Sequence, residues 1–340
     1  MENKKKIIAA MSGGVDSSVV AAILKNRGYN VVGVFMSMGK HSNSIDARKV
    51  AKILNIPFYI LNVQNEFKKR VVDYFIDEYK KGNTPNPCVE CNKHIKFRFL
   101  IDMAMKLKAD YVATGHYARI KKGKLLTAKD TKKDQTYFLW TLKQKQLKKI
   151  LFPIGDYTKI EVRAMAKKFN LQVHDKQDSQ EICFINTDIQ DFLNKNIKAK
   201  SGDIITTEGK KKGKHRGLAF YTIGQRKRIK IGGIGPFYVV KKDFKNNVLI
   251  VGQSDFNEAL FKKEMIVKNT NWLPGKPYFG KCKVKIRSMA KAVPARVMNY
   301  ESRIKNCVKV IFNENQRAIN PGQSAVFYLK DEVLGGGVIM

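Results

Sequence analysis

The chain has 340 residues, 44% hydrophobic and 28% charged, a composition typical of a globular protein large enough for two or three domains. Lysine and arginine number 65 against 29 acidic residues, and the formal net charge of +36 favours a polyanionic partner. No stretch is long and apolar enough to cross a bilayer, which argues against a membrane protein and ranks nucleic acid above an anionic membrane as the partner.

The N-terminus and the cysteines indicate the compartment. "MENKKKIIAAM" lacks the long apolar core and the cleavage site of a secretory signal, so we expect a cytoplasmic protein. We therefore do not expect a structural disulfide frame from the five cysteines, Cys88, Cys91, Cys183, Cys282 and Cys307. The last two fall in predicted strands, and we interpret them as small core or surface residues.

Strands and helices alternate in the first half of the chain. Continuous apolar strands are predicted at 5–11, 30–36, 57–63 and 111–115, and helices at 16–28, 44–56, 66–82 and 94–110. This alternation predicts an α/β domain with a doubly wound, mostly parallel sheet, whose ligand lies beyond the carboxyl ends of the strands. A later helix opens on Thr158 with Glu161 three residues on, which is the pattern of a capping box.

The second half has a different texture. Residues 201–245 contain 12 basic and 3 acidic residues, a net charge of +9, with frequent turn signals. From about residue 260, short alternating segments predict a small antiparallel barrel or sandwich. We predict three domains: 1–200, a basic central domain at 201–258, and a C-terminal β-barrel at 259–340. The clusters "KKKGKHR" and "QRKRIK" are either phosphate contacts or a solvated lysine-rich surface.

The segment "SGGVDSS", residues 12–18, separates the first strand from the first helix. Two glycines allow a close backbone approach, and the helix N-terminus supplies N–H donors for an anion. Hydroxyls of Ser12, Ser17 and Ser18 can donate to phosphate oxygens, and Asp16 fits an N-cap or a magnesium contact. The pattern favours phosphate binding over an ordinary tight turn. It lacks the Gly-Lys-Ser/Thr of a Walker loop and resembles the PP-loop of the N-type ATP pyrophosphatases.

Two further segments contain reactive-type cysteines. In "NTPNPCVECNKHIKF" we expect Cys91 near the start of a helix beginning around Lys93, where the helix N-terminus and nearby cations (Lys93, His94 and Lys96) favour thiolate. Cys183 is on this evidence alone either reactive or a buried hydrophobe. Cys88-x-x-Cys91 could be half of a zinc site, but no second pair at finger spacing follows it.

Seven segments in order extend the resemblance over the whole chain: "SGGVDSS", "NPCVECNKHIKF", "ATGHYARI", "KDQTYFLW", "SQEICFI", "GLAFYTIGQRKRIKIGG" and "NPGQSAVFY". The sequence closely resembles the bacterial tRNA-specific 2-thiouridylase family, MnmA. The resemblance implies a cytoplasmic sulfurtransferase that uses ATP and Mg²⁺ to thiolate C2 of the wobble uridine in tRNAs for Lys, Glu and Gln. It also implies a cysteine desulfurase or a sulfur-relay protein as the sulfur donor.

The resemblance assigns roles position by position. It implies that Cys91 is the nucleophile and that Cys183 carries a persulfide. The implied phosphate-loop residues are Ala9, Met11, Ser12, Gly13, Gly14, Val15, Asp16 and Ser17, and Met36 and Gly115 flank the adenosine. The implied tRNA contacts are Asn86, Pro87, Cys88, His116, Lys133, Asp134, Gln135, Arg287, Ser288 and Gln323.

Several of these roles have alternatives. Position 88 is often aspartate in the family, and Ser288 stands where an aromatic residue is usual. Asp134 could also move protons, and His116 could be a structural turn histidine. For the reaction, the alternatives are another PP-loop ligase or amidotransferase, or a non-catalytic basic RNA-binding protein. A further variant is an iron–sulfur cluster held by Cys88, Cys91 and Cys183.

Overall fold

A computed structural model describes residues 4–39, 42–177, 182–229, 231–232, 236–301 and 303–340. Residues 178–181, which include the start of "SQEICFI", lie outside the described residues. So do Lys230 of the second basic cluster and Gly233, which ends one of the resemblance segments.

The N-terminal region alternates strands and helices as far as Asn196. Its elements are β1 (Lys6–Ala10), α1 (Val15–Asn26), β2 (Asn30–Ser37), α2 (Ile45–Ile53), β3 (Phe58–Asn62), α3 (Gln64–Phe67), α4 (Asp73–Lys80), α5 (Pro87–Cys91), α6 (Phe97–Lys106), β4 (Tyr111–Ala113), β5 (Arg119–Lys121), β6 (Lys124–Leu126), α7 (Gln144–Leu147), β7 (Ile150–Leu151), α8 (Lys159–Lys168) and α9 (Ile189–Asn196). The predicted capping box of α8 is confirmed, because Thr158 and Glu161 bond each other's backbone N–H groups.

Five strands form one parallel sheet in the order β3-β2-β1-β4-β7. Alternate residues of β1 face opposite sides: Ile7 packs in the core under α1 and α8, whereas Ile8 packs in the core under α6. Both faces of the sheet are therefore covered at its centre, which explains the continuous apolar strands there, whereas the edge strand β3 leaves Tyr59 and Ile60 exposed. The predicted α/β fold class is confirmed.

Two long helices on one side of this sheet contain π-helical turns. The turn Lys68–Val72 joins α3 to α4, and the turn Asn92–Lys96 joins α5 to α6. The second helix is thus continuous from Pro87 to Lys106 and begins earlier than the predicted 94–110. Proline at the first helical position, after an extended Asn86, accounts for the earlier start.

The central region forms a four-stranded sheet in the order β10-β11-β8-β9. Its strands are β8 (Gly202–Thr206), β9 (Lys211–His215), β10 (Phe237–Asp243) and β11 (Val248–Gln253). The core of this sheet includes Phe75 and Tyr79 of α4 and Leu193 of α9, so the central sheet packs against the N-terminal region.

The C-terminal region is a closed antiparallel barrel, so of the two predicted architectures the barrel is confirmed. Its strands follow the order β12-β15-β14-β13-β16-β17, and β12 pairs with β17 to close it. They are β12 (Phe261–Trp272), β13 (Gly280–Lys285), β14 (Val293–Asn299), β15 (Val308–Arg317), β16 (Ser324–Leu329) and β17 (Glu332–Ile339). Cys282 and Cys307 are buried here, as core residues.

The β5–β6 hairpin of the N-terminal region extends this last sheet, because Leu126 pairs with Glu332 of β17. The hairpin therefore ties the barrel to the parallel sheet. In the described part of the chain, no helix has the length and apolar character needed to traverse a membrane.

Candidate active site

The predicted phosphate loop connects β1, the central strand of the parallel sheet, to α1. Gly13 has φ +80°, and a Cβ atom there would lie 3.2 Å from Ala47 N and 3.2 Å from Asp46 Cβ. Glycine is required because the backbone is left-handed and α2 approaches closely. The loop lies where the strand order reverses at the carboxyl edge of the sheet, which is where ligands bind in such folds.

The first turn of α1 directs backbone donors at the loop. Its N-cap residue is Gly14, which has no side chain to accept from those N–H groups, so they are available to an anion. The hydroxyl oxygens of Ser12 and Ser17 lie 3.1 Å apart. Ser18 is fully buried and donates to Gly14 O at 2.8 Å, so the expectation that it contacts phosphate is wrong. Three other predicted loop residues, Ala9, Met11 and Val15, are also buried.

Asp16 forms an ion pair that the sequence analysis did not predict. Lys159 Nζ lies 2.7 and 2.8 Å from the two carboxylate oxygens, and the Tyr117 hydroxyl donates to Oδ1 at 2.9 Å. Asp16 is the second residue of α1, and Gly14 caps the helix, so the N-cap interpretation of Asp16 is wrong. The sequence does not indicate this pair, because Lys159 is 143 positions away from Asp16 and belongs to no motif.

The two residues predicted to flank the adenosine lie on the strands beside β1. Met36 is near the end of β2 and is 9% exposed. Gly115 follows β4, and a Cβ atom there would lie 3.0 Å from Ser17 N. The β4 loop thus packs directly against the phosphate loop, and both residues are on the edge where an adenosine would lie. Their contact with the nucleotide stays a prediction.

Cys91 is the last residue of α5 and is 5% exposed. Because the helix starts at Pro87, Cys91 is a full turn from the N-terminus. Burial raises the pKa of the Cys91 thiol to about 12, and the nearby Lys96 ammonium opposes this only in part. The expectation of a thiolate favoured by the helix N-terminus is therefore wrong, because desolvation outweighs the neighbouring charge.

The three predicted reactive thiols lie together. Cys88 and Cys183 both act electrostatically on Cys91, and each is exposed at the molecular surface. Although both residues are exposed at the surface, protein atoms packed around each sulfur desolvate it and raise the pKa of both thiols, and Lys96 opposes the rise in each case.

Phe184, the residue after Cys183, anchors the segment that contains this cysteine. The Phe184 ring lies 5.9 Å from that of Phe67 and 5.5 Å from that of Phe75. Phe184 also packs against the cluster that contains Cys91. These contacts bring Cys183 to the helix Pro87–Lys106 that contains Cys88 and Cys91, called the cysteine helix below, across 92 positions of sequence (183 − 91).

In the described ranges, no group of three or more His, Cys, Asp and Glu side chains is close enough to hold a metal ion. The iron–sulfur alternative stays a prediction. Iron and sulfide analysis after anaerobic purification would test it.

His116 connects the thiol site to the phosphate loop. It follows Gly115, is 9% exposed, and its ring lies 5.7 Å from the ring of Phe97 on the cysteine helix. Its Nδ1 and the Thr114 hydroxyl are 2.8 Å apart. Burial lowers the pKa of His116 well below its ordinary value, and the Lys96 charge lowers it further, so the ring is neutral. These contacts favour a structural role, and the tRNA contact stays a prediction.

The side chains of Asp134 and Gln135 in the "KDQ" segment form hydrogen bonds inside the protein, close to the site. Asp134 accepts from Ala128 N at 2.9 Å and from the Thr136 hydroxyl at 2.7 Å, and burial raises the pKa of its carboxyl. Gln135 Oε1 accepts from Tyr117 N at 3.0 Å. Lys133 is half-buried. The three residues are thus in the turn that positions Tyr117 beside Asp16, and their predicted tRNA contacts stay untested.

The remaining predicted tRNA contacts lie where the barrel meets the cysteine helix. Gln323 Nε2 donates to Thr84 O at 2.8 Å, and Asn86 bonds to Tyr137. Arg287 donates to Arg317 O and Ala318 O, each at 2.7 Å. Pro87 is buried, and Ser288 is half-buried.

Comparison with known proteins gives a consistent result over the full chain. Three family models match: the tRNA methyl transferase HUP domain at 5–187, the tRNA methyl transferase PRC-barrel domain at 190–253, and the aminomethyltransferase beta-barrel domain at 262–339.

Curated relatives match at similar extent. The tRNA-specific 2-thiouridylase MnmA of Clostridioides difficile is 45% identical over 98% of each chain. That of Buchnera aphidicola is 44% identical over 100% of this chain and 98% of its own. A solved 4-thiouridine synthetase–RNA complex with bound ATP is more distant, at 19% identity and a TM-score of 0.37 over 53% of this chain and 45% of that chain.

Proposed function

The chain belongs to the tRNA-specific 2-thiouridylase MnmA family and is a tRNA sulfurtransferase, and we propose that it adenylates O2 of wobble uridine 34 and transfers sulfur from a Cys183 persulfide with Cys91 as nucleophile. Three thiols beside a phosphate loop, joined through Gly115 and His116, are the observation that carries this proposal. A site that only adenylates its substrate has no use for three neighbouring thiols.

The first step makes C2 of uracil electrophilic. The O2 oxygen attacks the α-phosphate of ATP, and pyrophosphate leaves with the electron pair of the broken bond. The N–H groups of the first turn of α1 and the Gly13–Gly14 backbone would hold the developing negative charge, as preorganised donors do in other enzymes. C2 then carries AMP as a leaving group.

Magnesium fits this site as a companion of ATP. Mg²⁺ is usually bound through one or two carboxylates together with substrate phosphates, and Asp16 supplies a carboxylate beside the loop. Bound there, it would withdraw charge from the phosphate oxygens. In this structure the Lys159 ammonium and the Tyr117 hydroxyl bond the Asp16 carboxylate.

The second step transfers sulfur by one of two orders. In one, the terminal persulfide sulfur bonds to C2, AMP leaves, and Cys91 then attacks the Cys183 sulfur, so that the transferred atom stays on C2 with the bonding electrons. In the other, Cys91 attacks the Cys183 sulfur first and releases sulfide, which adds to C2 and expels AMP. Both orders give 2-thiouridine, AMP and a Cys91–Cys183 disulfide, which an external dithiol must reduce.

The tRNA substrate accounts for the strong positive charge. Lysine and arginine contacts with phosphates provide salt-dependent affinity, and a flipped uridine would enter the thiol site. We propose tRNAs for Lys, Glu and Gln as substrates, and a cytoplasmic cysteine desulfurase or relay protein as the persulfide donor.

The test is mass spectrometry of tRNA nucleosides after incubation with ATP and a sulfur donor. We expect Cys91→Ser and Cys183→Ser to form no 2-thiouridine but to keep tRNA-dependent pyrophosphate release, because adenylation precedes sulfur transfer. Cys307→Ser, in the buried barrel core, is the control and should retain activity. Undiminished 2-thiouridine formation by both active-site variants would contradict the proposal.

A further inference from the structure

Lys159 is a buried cation at the phosphate loop. It is 8% exposed, and its Nζ lies 2.7 and 2.8 Å from the Asp16 carboxylate oxygens. Its backbone N–H donates to Asp130 Oδ2 at 3.0 Å, and the Thr158–Glu161 capping box fixes the first turn of α8. The backbone around Lys159 is therefore held, while the long side chain can change partner.

Stability alone does not explain this ion pair. The Lys159 side chain is buried and that of Asp16 is half-buried, so the desolvation of the two charges offsets much of their attraction. Asp16 already has a favourable position in the first turn of α1, where the helix dipole stabilises negative charge. The Tyr117 hydroxyl satisfies one carboxylate oxygen independently of the lysine.

The charge of the proposed substrate supplies another explanation. A nucleoside triphosphate brings several negative charges to a loop whose own donors are neutral N–H and O–H groups. An ammonium that contacts Asp16 beside that loop would compensate part of this charge in a partly desolvated site. Lys176, the other lysine at the loop, is more exposed and bonds to Asp46 at 2.6 Å.

We propose that Lys159 is a phosphate-binding residue whose ammonium turns from Asp16 to the phosphates of a bound nucleoside triphosphate. When the bond from the α-phosphorus to the bridging oxygen breaks and the bond to uridine O2 forms, the electron pair leaves on pyrophosphate. Lys159 neutralises the charge that pyrophosphate gains. This inference rests on the proposed function and names a further residue of its adenylation step.

The experiment measures equilibrium ATP binding by calorimetry, together with tRNA-dependent pyrophosphate release in the absence of a sulfur donor. We expect Lys159→Met to weaken ATP binding by about tenfold or more, the loss of one charged contact, and to slow pyrophosphate release. Lys159→Arg, which keeps the charge, should recover most of both. Lys129→Met is the matched control, because Lys129 pairs with Glu161 of the same helix but is exposed.

The double variant Asp16→Asn/Lys159→Met, titrated with ATP in EDTA so that a magnesium contact of Asp16 does not contribute, separates binding from a merely structural ion pair. It removes both charges, so a structural pair predicts that ATP binding returns toward wild type. Our proposal predicts that binding remains weak in a variant whose thermal unfolding resembles wild type. Unchanged ATP affinity in Lys159→Met, or recovery in the double variant, would overturn it. Neither readout requires sulfur transfer, so failure of wild type to make 2-thiouridine would refute the proposed function separately.

Discussion

One lysine, Lys96, acts electrostatically on all three thiols of the site. Lys96 opposes the effect of burial on the pKa of Cys88, Cys91 and Cys183. It is half-buried, and no ion pair joins it to another residue in the described ranges. An ammonium in such a place loses hydration without gaining a carboxylate, so it is available to a sulfur anion. The π turn that contains Lys96 keeps it on the cysteine helix five residues after Cys91.

We expect Lys96→Met to raise the pKa of all three thiols, because desolvation then acts without an opposing charge. The alkylation rate of Cys88 and Cys183 by iodoacetamide should fall several-fold at mildly alkaline pH, and the pH profile should move to higher pH. Peptide mass spectrometry after timed quenching measures each site. Lys93→Met is the control, since Lys93 is exposed on the same helix and does not act on the thiols. An unchanged profile in Lys96→Met would show that the charge has no such effect.

Among the secondary-structure elements, α8 connects stability to the nucleotide site, since its capped first turn carries Lys159. The backbone N–H of Thr158 and the Lys129 ammonium lower the pKa of Glu161 from 4.5 to about 2. A carboxyl whose folded pKa lies below its unfolded value stabilises the fold above the unfolded pKa. That contribution disappears as pH falls through the folded pKa.

Glu161→Gln should therefore unfold at a lower temperature than wild type at neutral pH. The difference should shrink as pH falls from 4.5 to about 2, where wild type also loses the charge. Thermal unfolding by circular dichroism at a series of pH values measures it. Glu264→Gln, which removes an exposed pair with Lys309 but no helix cap, should show little change at any pH. A pH-independent difference in Glu161→Gln would contradict the assignment.

The same elements show what a sequence can predict. The predicted phosphate loop and the capping box are each contiguous in sequence, so residue types and spacing are sufficient to predict them, and the structure confirms the capping box. The state of Cys91 was not predictable, because its burial depends on Phe67, Val71 and other side chains from a separate helix. The π turn in the cysteine helix left no sequence signal, because the apolar pattern continues through it.

At the scale of the whole molecule, the N-terminal region, the central region and the barrel meet just before the cysteine helix. Thr84 N donates to Pro321 O at 2.8 Å, and the hydroxyls of Thr84 and Thr222 are 3.3 Å apart. Gln323 adds a bond to Thr84 O from 239 positions away. Neither local pattern nor resemblance could indicate this contact. It implies that the barrel and the central region fix the loop that leads to Cys88 and Cys91.

Gly322 tests this junction. It has φ +90°, and a Cβ atom there would lie 2.8 Å from Asn83 Cβ and 2.9 Å from Thr84 N. Gly322→Ala should push the barrel loop away from the cysteine helix and lower 2-thiouridine formation strongly. ATP binding should be unaffected, because the phosphate loop is on the sheet edge and makes no contact with this glycine.

The control is Gly275→Ala, in the same barrel. Gly275 has φ +85° with no atom within 4 Å of its would-be Cβ, so it carries the same backbone strain, about 1–2 kcal/mol, without the collision. If displacement of the loop matters, Gly322→Ala loses thiolation at matched thermal stability while Gly275→Ala keeps it. Equal activity in the two variants would mean that the junction is only a point of attachment. Loss of ATP binding together with thiolation in Gly322→Ala would mean that the damage spreads beyond the cysteine helix.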